Sequence, residues 1–538
     1  MAVGLAGCTS GTTKPGAAAS PSVAVSSSSV AGPAVTASAT TAAPVTTAAP
    51  VTTVATTPTS TVESVPFRAE DVGHVTIEGP ITAGKGAVVM GSGTIDLASI
   101  GYVEDEYFVS GTASAYSTQG PLGSDGRWTV TPTQPLPFTT RVVVRRPADP
   151  AKFNGSVAVE WLNVSAGFDS SPDWGYAHAE LTRSGWAWVG VSAQQVGIVG
   201  KEGSLVPLAL QQADPVRYAS LVHPGDSYSY DIFSQAGAAV RTQFATLLGG
   251  AEPQRVIAIG ESQSAFRLTT YVDAVAPVAN VFDGYLVHSR AAAGAPLTQA
   301  PLADVAAPDP TLIRTDLIAP VFTVVSETDV LGRLGYLRAR QPDTDRLRVW
   351  EVAGTAHADS YSLGIGDTDD GSGAADTAFF ASMSSPPASV YNGIISCDRP
   401  INTGPHTYVL RSALASLETW VRTGAAPPVM PVLESDATGA PVLDEHGNGR
   451  GGTRTPHVDV PIATLSGLGQ SGGSFCGLFG TTVPFDAAVL SALYPDHQAF
   501  VSAWNAAVDR AVTSGALLEI DAGHLRSVAA ASSIGTPG

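Results

Sequence analysis

The pentad Gly260-Glu261-Ser262-Gln263-Ser264 follows the apolar run Val256–Ile259 and precedes a helical stretch from about Ser264. A serine hydroxyl is a weak nucleophile at neutral pH. It becomes a strong one when a tight strand-to-helix turn exposes it beside a base, and such a turn admits only small flanking side chains. The usual pentad ends in glycine; here Ser264 stands in that place, the next smallest side chain that fits. A G-x-S-x-small pentad recurs by chance in a chain this rich in Gly, Ala and Ser. What makes this one specific is the strand before it, the helix after it, and two partners that follow in order.

The first partner is a carboxylate. Pro320–Val325 reads as a strand and leads into Ser326-Glu327-Thr328-Asp329, which makes Asp329 the expected acid and Glu327, on the same turn, its alternative. The second is a base. Leu347–Val352 leads into Ala353-Gly354-Thr355-Ala356-His357, and His357 is the histidine the pattern requires. His524, in Asp521-Ala522-Gly523-His524, is the rival, but a helical stretch rather than a strand precedes it. In the expected chemistry His357 takes the proton of Ser262 and returns it to the leaving group, while the carboxylate fixes the imidazole tautomer. The tetrahedral oxyanion needs two donors. One is the backbone N–H of Gln263; the other comes from the loop after Ser156–Leu162, with Asn163 and Val164 as candidates. Glu261 reads as a structural or rim residue.

These residues need a frame. Val75–Ile81, Tyr102–Ser110 and Thr139–Arg146 are short β-rich runs separated by Gly and Pro turns. A different rhythm follows. Ser156–Leu162, Trp186–Ser192, Arg255–Ile259, Val281–Val287, Pro320–Val325 and Leu347–Val352 are strand-length apolar runs. Helical stretches alternate with them, near Trp174–Ser184, over Tyr230–Leu248 and after Ser264. This pattern predicts a mainly parallel sheet covered on both faces. The order nucleophile, acid, histidine along such a chain is that of an α/β-hydrolase fold. Beyond residue 360, Ala413–Thr423 and Asp486–Ser514 look helical. The stretch 425–485 is Gly- and Pro-rich, and the whole region reads as an elaboration packed on the catalytic domain.

Composition bounds the remaining possibilities. Lys plus Arg total 28 against 47 Asp plus Glu, a formal charge of −19, so the surface repels phosphate backbones and anionic headgroups. Nucleic acid is therefore not an expected partner. Neither H-E-x-x-H nor C-x-x-C occurs, and no metal or cofactor is implied. No run of eighteen or more apolar residues is present to span a membrane. Leu5-Ala6-Gly7-Cys8 resembles the tetrapeptide at which a bacterial lipoprotein signal is cut and its cysteine acylated. Residues 1–8 are accordingly expected to be a remnant of such a signal, with Cys8 as the only membrane attachment. Residues 9–65, almost entirely Ala, Thr, Ser, Pro, Val and Gly, read as an unfolded tether. The folded domain is expected over 66–538. In the extracytoplasmic compartment this implies, Cys397 and Cys476 are expected to form a disulfide.

With these residues in hand, the chain resembles the bacterial α/β-hydrolase domain-containing proteins from about residue 75 onward. The segments that carry the likeness are GYVEDEYFVSGTA (101–113), TRVVVRRPADPAKFNGSVAVEWLNVSAG (140–167), GESQSA (260–265), SETDV (326–330), AGTAHAD (353–359) and GNGRGGTRTPHVDVP (447–461). The resemblance implies an ester hydrolase with Ser262 and His357 in its triad and the acid at Glu327 or Asp329. Arg450 and Arg454 offer either a guanidinium fork for a substrate carboxylate or an ion-paired loop, and His223, Asp226 and Tyr228 are candidates for a pocket wall. Three functions remain open at this level. They are hydrolysis of a small-molecule, lipid or glycan ester at the cell envelope, acyl transfer from the same acyl-serine to a hydroxyl, and binding without catalysis on a hydrolase scaffold.

Overall fold

Nine runs of β-branched and aromatic residues pair into one sheet. They are β1 (Thr76–Glu78), β2 (Tyr102–Ala113), β3 (Leu136–Pro147), β4 (Ser156–Trp161), β5 (Ala187–Val191), β6 (Arg255–Glu261), β7 (Gly284–His288), β8 (Val321–Ser326) and β9 (Leu347–Val352). The structure is a computed structural model that describes Phe67 and residues 72–536, except 92, 94, 203, 205 and 474. Cys8 and the stretch 9–65 lie outside the described residues. The spatial order is β1-β2-β3-β5-β4-β6-β7-β8-β9. The first three strands join by antiparallel pairing, and β4 to β9 are all parallel. This is the expected α/β-hydrolase fold.

Strand order reverses at β4. The chain leaves β4 for β5 on one side and returns to β6 on the other, so the loops after β4 and β6 diverge from neighbouring strand ends. A crevice opens there in parallel α/β sheets. Ser262 follows β6, and Asn163 and Val164 follow β4.

Period-two alternation divides the strands between two cores. Val157, Val159 and Trp161 face the side covered by α2 (Ser229–Thr242) and α3 (Gln263–Thr270), with Phe233, Leu268 and Tyr271. Ala158, Ile257 and Ile259 face the other side, covered by α1 (Pro172–Arg183), α4 (His406–Thr423), α5 (His497–Ser514) and α6 (Glu519–Ala531). The C-terminal helices bring Tyr408, Leu414, Trp420 and Trp504 into that second core.

Two helices are shorter than the periodicity suggests. The stretch expected over Tyr230–Leu248 stops at Thr242, because Gln243 turns out of the helical region (φ −123°), and a separate turn follows at Phe244–Leu247. The stretch expected over Asp486–Ser514 breaks at Tyr494, which precedes Pro495 and adopts φ −127°, ψ 89°. A proline ring excludes the helical conformation from the residue before it. Cys397 and Cys476 are joined as a disulfide, with Cα atoms 5.6 Å apart. The bridge packs with Ile401 and Phe479 against Ala358 and Leu363, in the loop that follows His357. Among the described residues no helix is long and apolar enough to cross a membrane.

Candidate active site

Strand β6 delivers Ser262 to a bend that few residues other than glycine adopt, with φ 57° and ψ −121°. Such a conformation costs on the order of 1–3 kcal/mol and persists only where its surroundings enforce it. Here they do. The Ser262 N–H donates to the carbonyl of His288 (3.0 Å), and α3 starts at the next residue. A Cβ on Gly260 would stand 3.2 Å from the Ser264 Cβ, which is why both positions hold small residues.

Asp329 is oriented by a helix cap. Ser326 caps the short helix Glu327–Leu331: its hydroxyl accepts from the Asp329 N–H, and its own N–H donates to Asp329 Oδ2 (2.7 Å). That leaves Oδ1 free for His357, whose Nδ1 lies 2.6 Å away. On the far side of the ring, Nε2 lies 2.8 Å from Ser262 Oγ. His357 is further held by Thr328 Oγ1, which accepts its N–H (3.3 Å), and by the Tyr176 hydroxyl, which donates to its carbonyl (3.3 Å). Burial opposes ionisation of Asp329, but the adjoining imidazole and the Ser326 N–H outweigh it and hold the carboxyl below the usual range.

Glu327 does something else. Its two oxygens accept the backbone N–H groups of Gly354 (2.6 Å) and Gly467 (2.9 Å), joining the acid turn to the histidine loop and to the C-terminal segment. Burial pushes its pKa up to about 7. Of the two carboxylates the sequence left open, only Asp329 meets the imidazole. A Cβ on Gly467 would collide with Thr328 N and Thr355 O at 2.5 Å, so glycine alone permits that close approach.

The two candidates for the second oxyanion donor also separate. The Asn163 N–H is already bonded to the Ser170 carbonyl (2.9 Å), and its side-chain amide donates to Glu261 O (3.1 Å) and Oε2 (3.3 Å). Within the described residues no acceptor takes the Val164 N–H. Gln263, as the first residue of α3, has no intrahelical acceptor for its own N–H. Of the candidates, the Val164 and Gln263 N–H groups are thus left without an acceptor among the described residues, and Asn163 serves as a clamp on Glu261.

Glu261 is not a rim residue. It is 6% exposed, and its Oε1 lies 3.2 Å from His357 Nε2, the nitrogen that faces Ser262. Behind it runs a chain of buried groups that the pentad gives no hint of. Asp173 Oδ1 lies 2.7 Å from His288 Nδ1, His288 Nε2 lies 2.9 Å from His406 Nε2, and His406 Nδ1 lies 3.0 Å from the Ala356 carbonyl. A carbonyl only accepts, so His406 Nδ1 carries a proton and its Nε2 accepts from His288. His288 Nδ1 then accepts from a protonated Asp173. Burial drives all three to these neutral forms: it raises Asp173 far above its usual range and pushes His288 and His406 down to about 3. Glu160 anchors the base, accepting the N–H groups of Asp173 and Trp174 and the Trp188 indole N–H. The sequence signal was a glutamate inside the otherwise apolar run Ser156–Leu162; a strand buried on both faces keeps a carboxylate only where donors are built around it.

None of the remaining candidates bonds to Ser262, His357 or Asp329. His524, in α6, pairs with Asp376 (2.9 Å), in the helix Ala374–Ser382. Arg454 binds Asp459 (2.6 Å) and the Gly449 carbonyl, and Arg450 faces Glu434 at 3.5 Å, so this is an ion-paired loop. Asp226 pairs with Arg267 (2.9 Å) and accepts from Gln194, whose amide oxygen in turn accepts from Gln263. His223 is bound to the Ala193 carbonyl (2.9 Å). Among the described residues no group of His, Cys, Asp and Glu could hold a metal ion.

Solved structures similar to this chain include an esterase from Rhizomucor miehei, at 11% identity over 36% of this chain and 45% of that one (TM-score 0.19). The rice cell wall degrading esterase LipA from Xanthomonas oryzae matches at 13%, over 41% and 51% (TM-score 0.22). A thermostable esterase from Pseudomonas putida matches at 14%, over 44% and 66% (TM-score 0.22). The chain thus spans less than two thirds of the length of each of these neighbours. No curated protein matches it in sequence. The family model described as alpha/beta hydrolase domain matches residues 77–527, which is most of the chain. With the parallel sheet and its strand order, that match identifies the protein as a member of the alpha/beta hydrolase domain family.

Proposed function

We propose that the protein hydrolyses carboxylic esters through an acyl intermediate on Ser262. The observation that carries this reading is the continuous line Asp329–His357–Ser262, with contacts of 2.6 and 2.8 Å, at a strained strand-to-helix bend. Ser262 Oγ attacks the ester carbonyl while His357 Nε2 takes its proton. The oxyanion is received by the N–H groups of Gln263 and Val164. On collapse, the Nε2 proton passes to the departing alkoxide, and water then repeats the sequence to release the acid and restore the serine. Asp329 keeps the Nδ1–H tautomer and balances the imidazolium.

The test is Ser262→Ala. Turnover of a small acyl ester should fall by about 10³-fold or more, and covalent labelling by a fluorophosphonate should vanish. Persistence of either at the wild-type level overturns the reading. We extend the proposal to an ester of the cell envelope, lipid or glycan, reached from a lipid anchor on Cys8. The Leu5-Ala6-Gly7-Cys8 sequence and the Cys397–Cys476 bridge support that placement. Parallel panels of acyl-chain and glycan esters test the substrate class, and fatty-acid incorporation that survives in Cys8→Ser removes the anchor.

A further inference from the structure

His357 meets two carboxylates. Asp329 lies on Nδ1 at 2.6 Å, where a triad acid belongs, and Glu261 Oε1 lies 3.2 Å from Nε2, the nitrogen that must accept the Ser262 proton. Glu261 has no freedom to leave: it is buried, it closes β6 opposite His288, and the Asn163 amide clamps both its carbonyl and its Oε2. A carboxylate and a hydroxyl thus compete for one nitrogen.

We propose that Glu261 is a catalytic residue that gates the serine, holding one proton between its Oε1 and His357 Nε2 until that proton is lost to solvent. The inference rests on the reading of Ser262 as the nucleophile. While the proton is held, Nε2 cannot accept from Ser262 Oγ, and the hydroxyl stays inert. Once it has left, Nε2 takes the serine proton as the Oγ–C bond forms. The imidazolium so produced lies between Asp329 on one nitrogen and ionised Glu261 on the other. Its Nε2 proton then moves to the leaving alkoxide, so the step consumes no external acid. The same carboxylate therefore blocks the base below a threshold pH and stabilises the transition state above it.

The other groups that face this pair leave the assignment intact. Asp173 at the start of α1 is itself pushed far up by burial, and any charge it gains as pH rises pushes Glu261 further up, in the same direction as burial; His288 and His406 beyond it are neutral. From α1, the Tyr176 hydroxyl donates to the His357 carbonyl rather than to the ring. Burial pushes Glu261 up to about 8, against the pull of His357. Burial alone would lower His357, but Glu261 first and Asp329 second raise it to about 9. Both directions delay release of the shared proton beyond the ordinary histidine range.

The experiment is the pH dependence of kcat/KM for a small acyl ester, run beside the pH dependence of fluorophosphonate labelling, on wild type, Glu261→Gln and Glu261→Asp. In wild type both limbs should rise with a midpoint at least one unit above about 6.5, the ordinary imidazole value. In Glu261→Gln the midpoint should fall by at least one unit, and the plateau of kcat/KM by about tenfold, since the imidazolium loses a counter-charge. Glu261→Asp, with its carboxylate drawn back by one methylene, should lie between. Equal midpoints in wild type and Glu261→Gln overturn the inference. If neither variant folds, the wild-type labelling curve still decides, because a midpoint at or below about 6.5 overturns it alone. Absence of labelling at every pH defeats the nucleophile reading itself, whereas labelling with an ordinary midpoint defeats only the role of Glu261.

Discussion

Exchanging the Asp329 carboxylate for an amide of the same shape isolates what its charge does. In Asp329→Asn the oxygen remains bonded to the Ser326 N–H, which turns the NH₂ group toward His357 Nδ1. The ring must then carry its proton on Nε2, the nitrogen that has to accept from Ser262. The variant should fold and lose about 10⁴-fold in kcat at neutral pH, as expected when the tautomer is wrong. Steady-state kinetics with circular dichroism as a folding control check this, and a loss under tenfold would remove Asp329 from the triad. At this scale the sequence named both carboxylates of the turn and favoured Asp329, with Glu327 kept as the alternative. The choice depends on which rotamer the Ser326 cap enforces, and on the Gly354 and Gly467 N–H groups that draw Glu327 away.

The turn that carries the acid is also a junction between elements. Glu327 links the end of β8 to the histidine loop after β9 and to Gly467, in a segment with little periodicity of its own. Glu327→Ala leaves two buried N–H groups without acceptors. At about 1–3 kcal/mol each, the cost should be roughly 2–6 kcal/mol, read as a lower urea midpoint at pH 5; an unchanged midpoint would mean that water or a shifted loop replaces the carboxylate. Element identity was legible wherever the apolar period was long, and β9 matches the expected Leu347–Val352 residue for residue. Boundaries slipped where a single side chain decides, as at Pro495, which ends one helix and forces a second to begin. The loops from 425 to 485 carry no such signal, because glycines, prolines and hydrogen bonds to distant partners shape them.

Across the whole molecule the buried acids fall into two groups. Burial pushes Glu327 and Asp359 up to about 7 and Glu160, Asp173 and Asp273 well above their usual values, so in the folded chain they hold protons that the unfolded chain releases near pH 4. A raised folded value means their contribution is complete below the unfolded pKa and is lost as pH rises through the folded one, at up to about 1.4 kcal/mol per group per pH unit. Asp369 runs the other way. Burial would raise it, but Arg411 holds it at about 2, so its contribution disappears as pH falls from about 4 toward that value. With a formal charge of −19 adding repulsion at higher pH, thermal stability should fall from about pH 6.5 to pH 8, whereas below about 6.5 the buried neutral His288, His406 and His457, held down to about 3, cost stability as the unfolded imidazoles gain protons. A Tm that is flat or rising from about pH 6.5 to 8 would contradict this. Read alone, the sequence determined the sheet, the order nucleophile–acid–histidine, and the two residues Ser262 and His357 that the fold brings together. Local periodicity and turn chemistry write those features into adjacent residues. Only the tertiary structure decided which carboxylate meets His357, which N–H groups stay free, and that Glu261 lies against the His357 nitrogen that faces Ser262, with Asp173, His288 and His406 behind it. Those outcomes depend on distances between residues up to some two hundred positions apart and on the removal of water from between them.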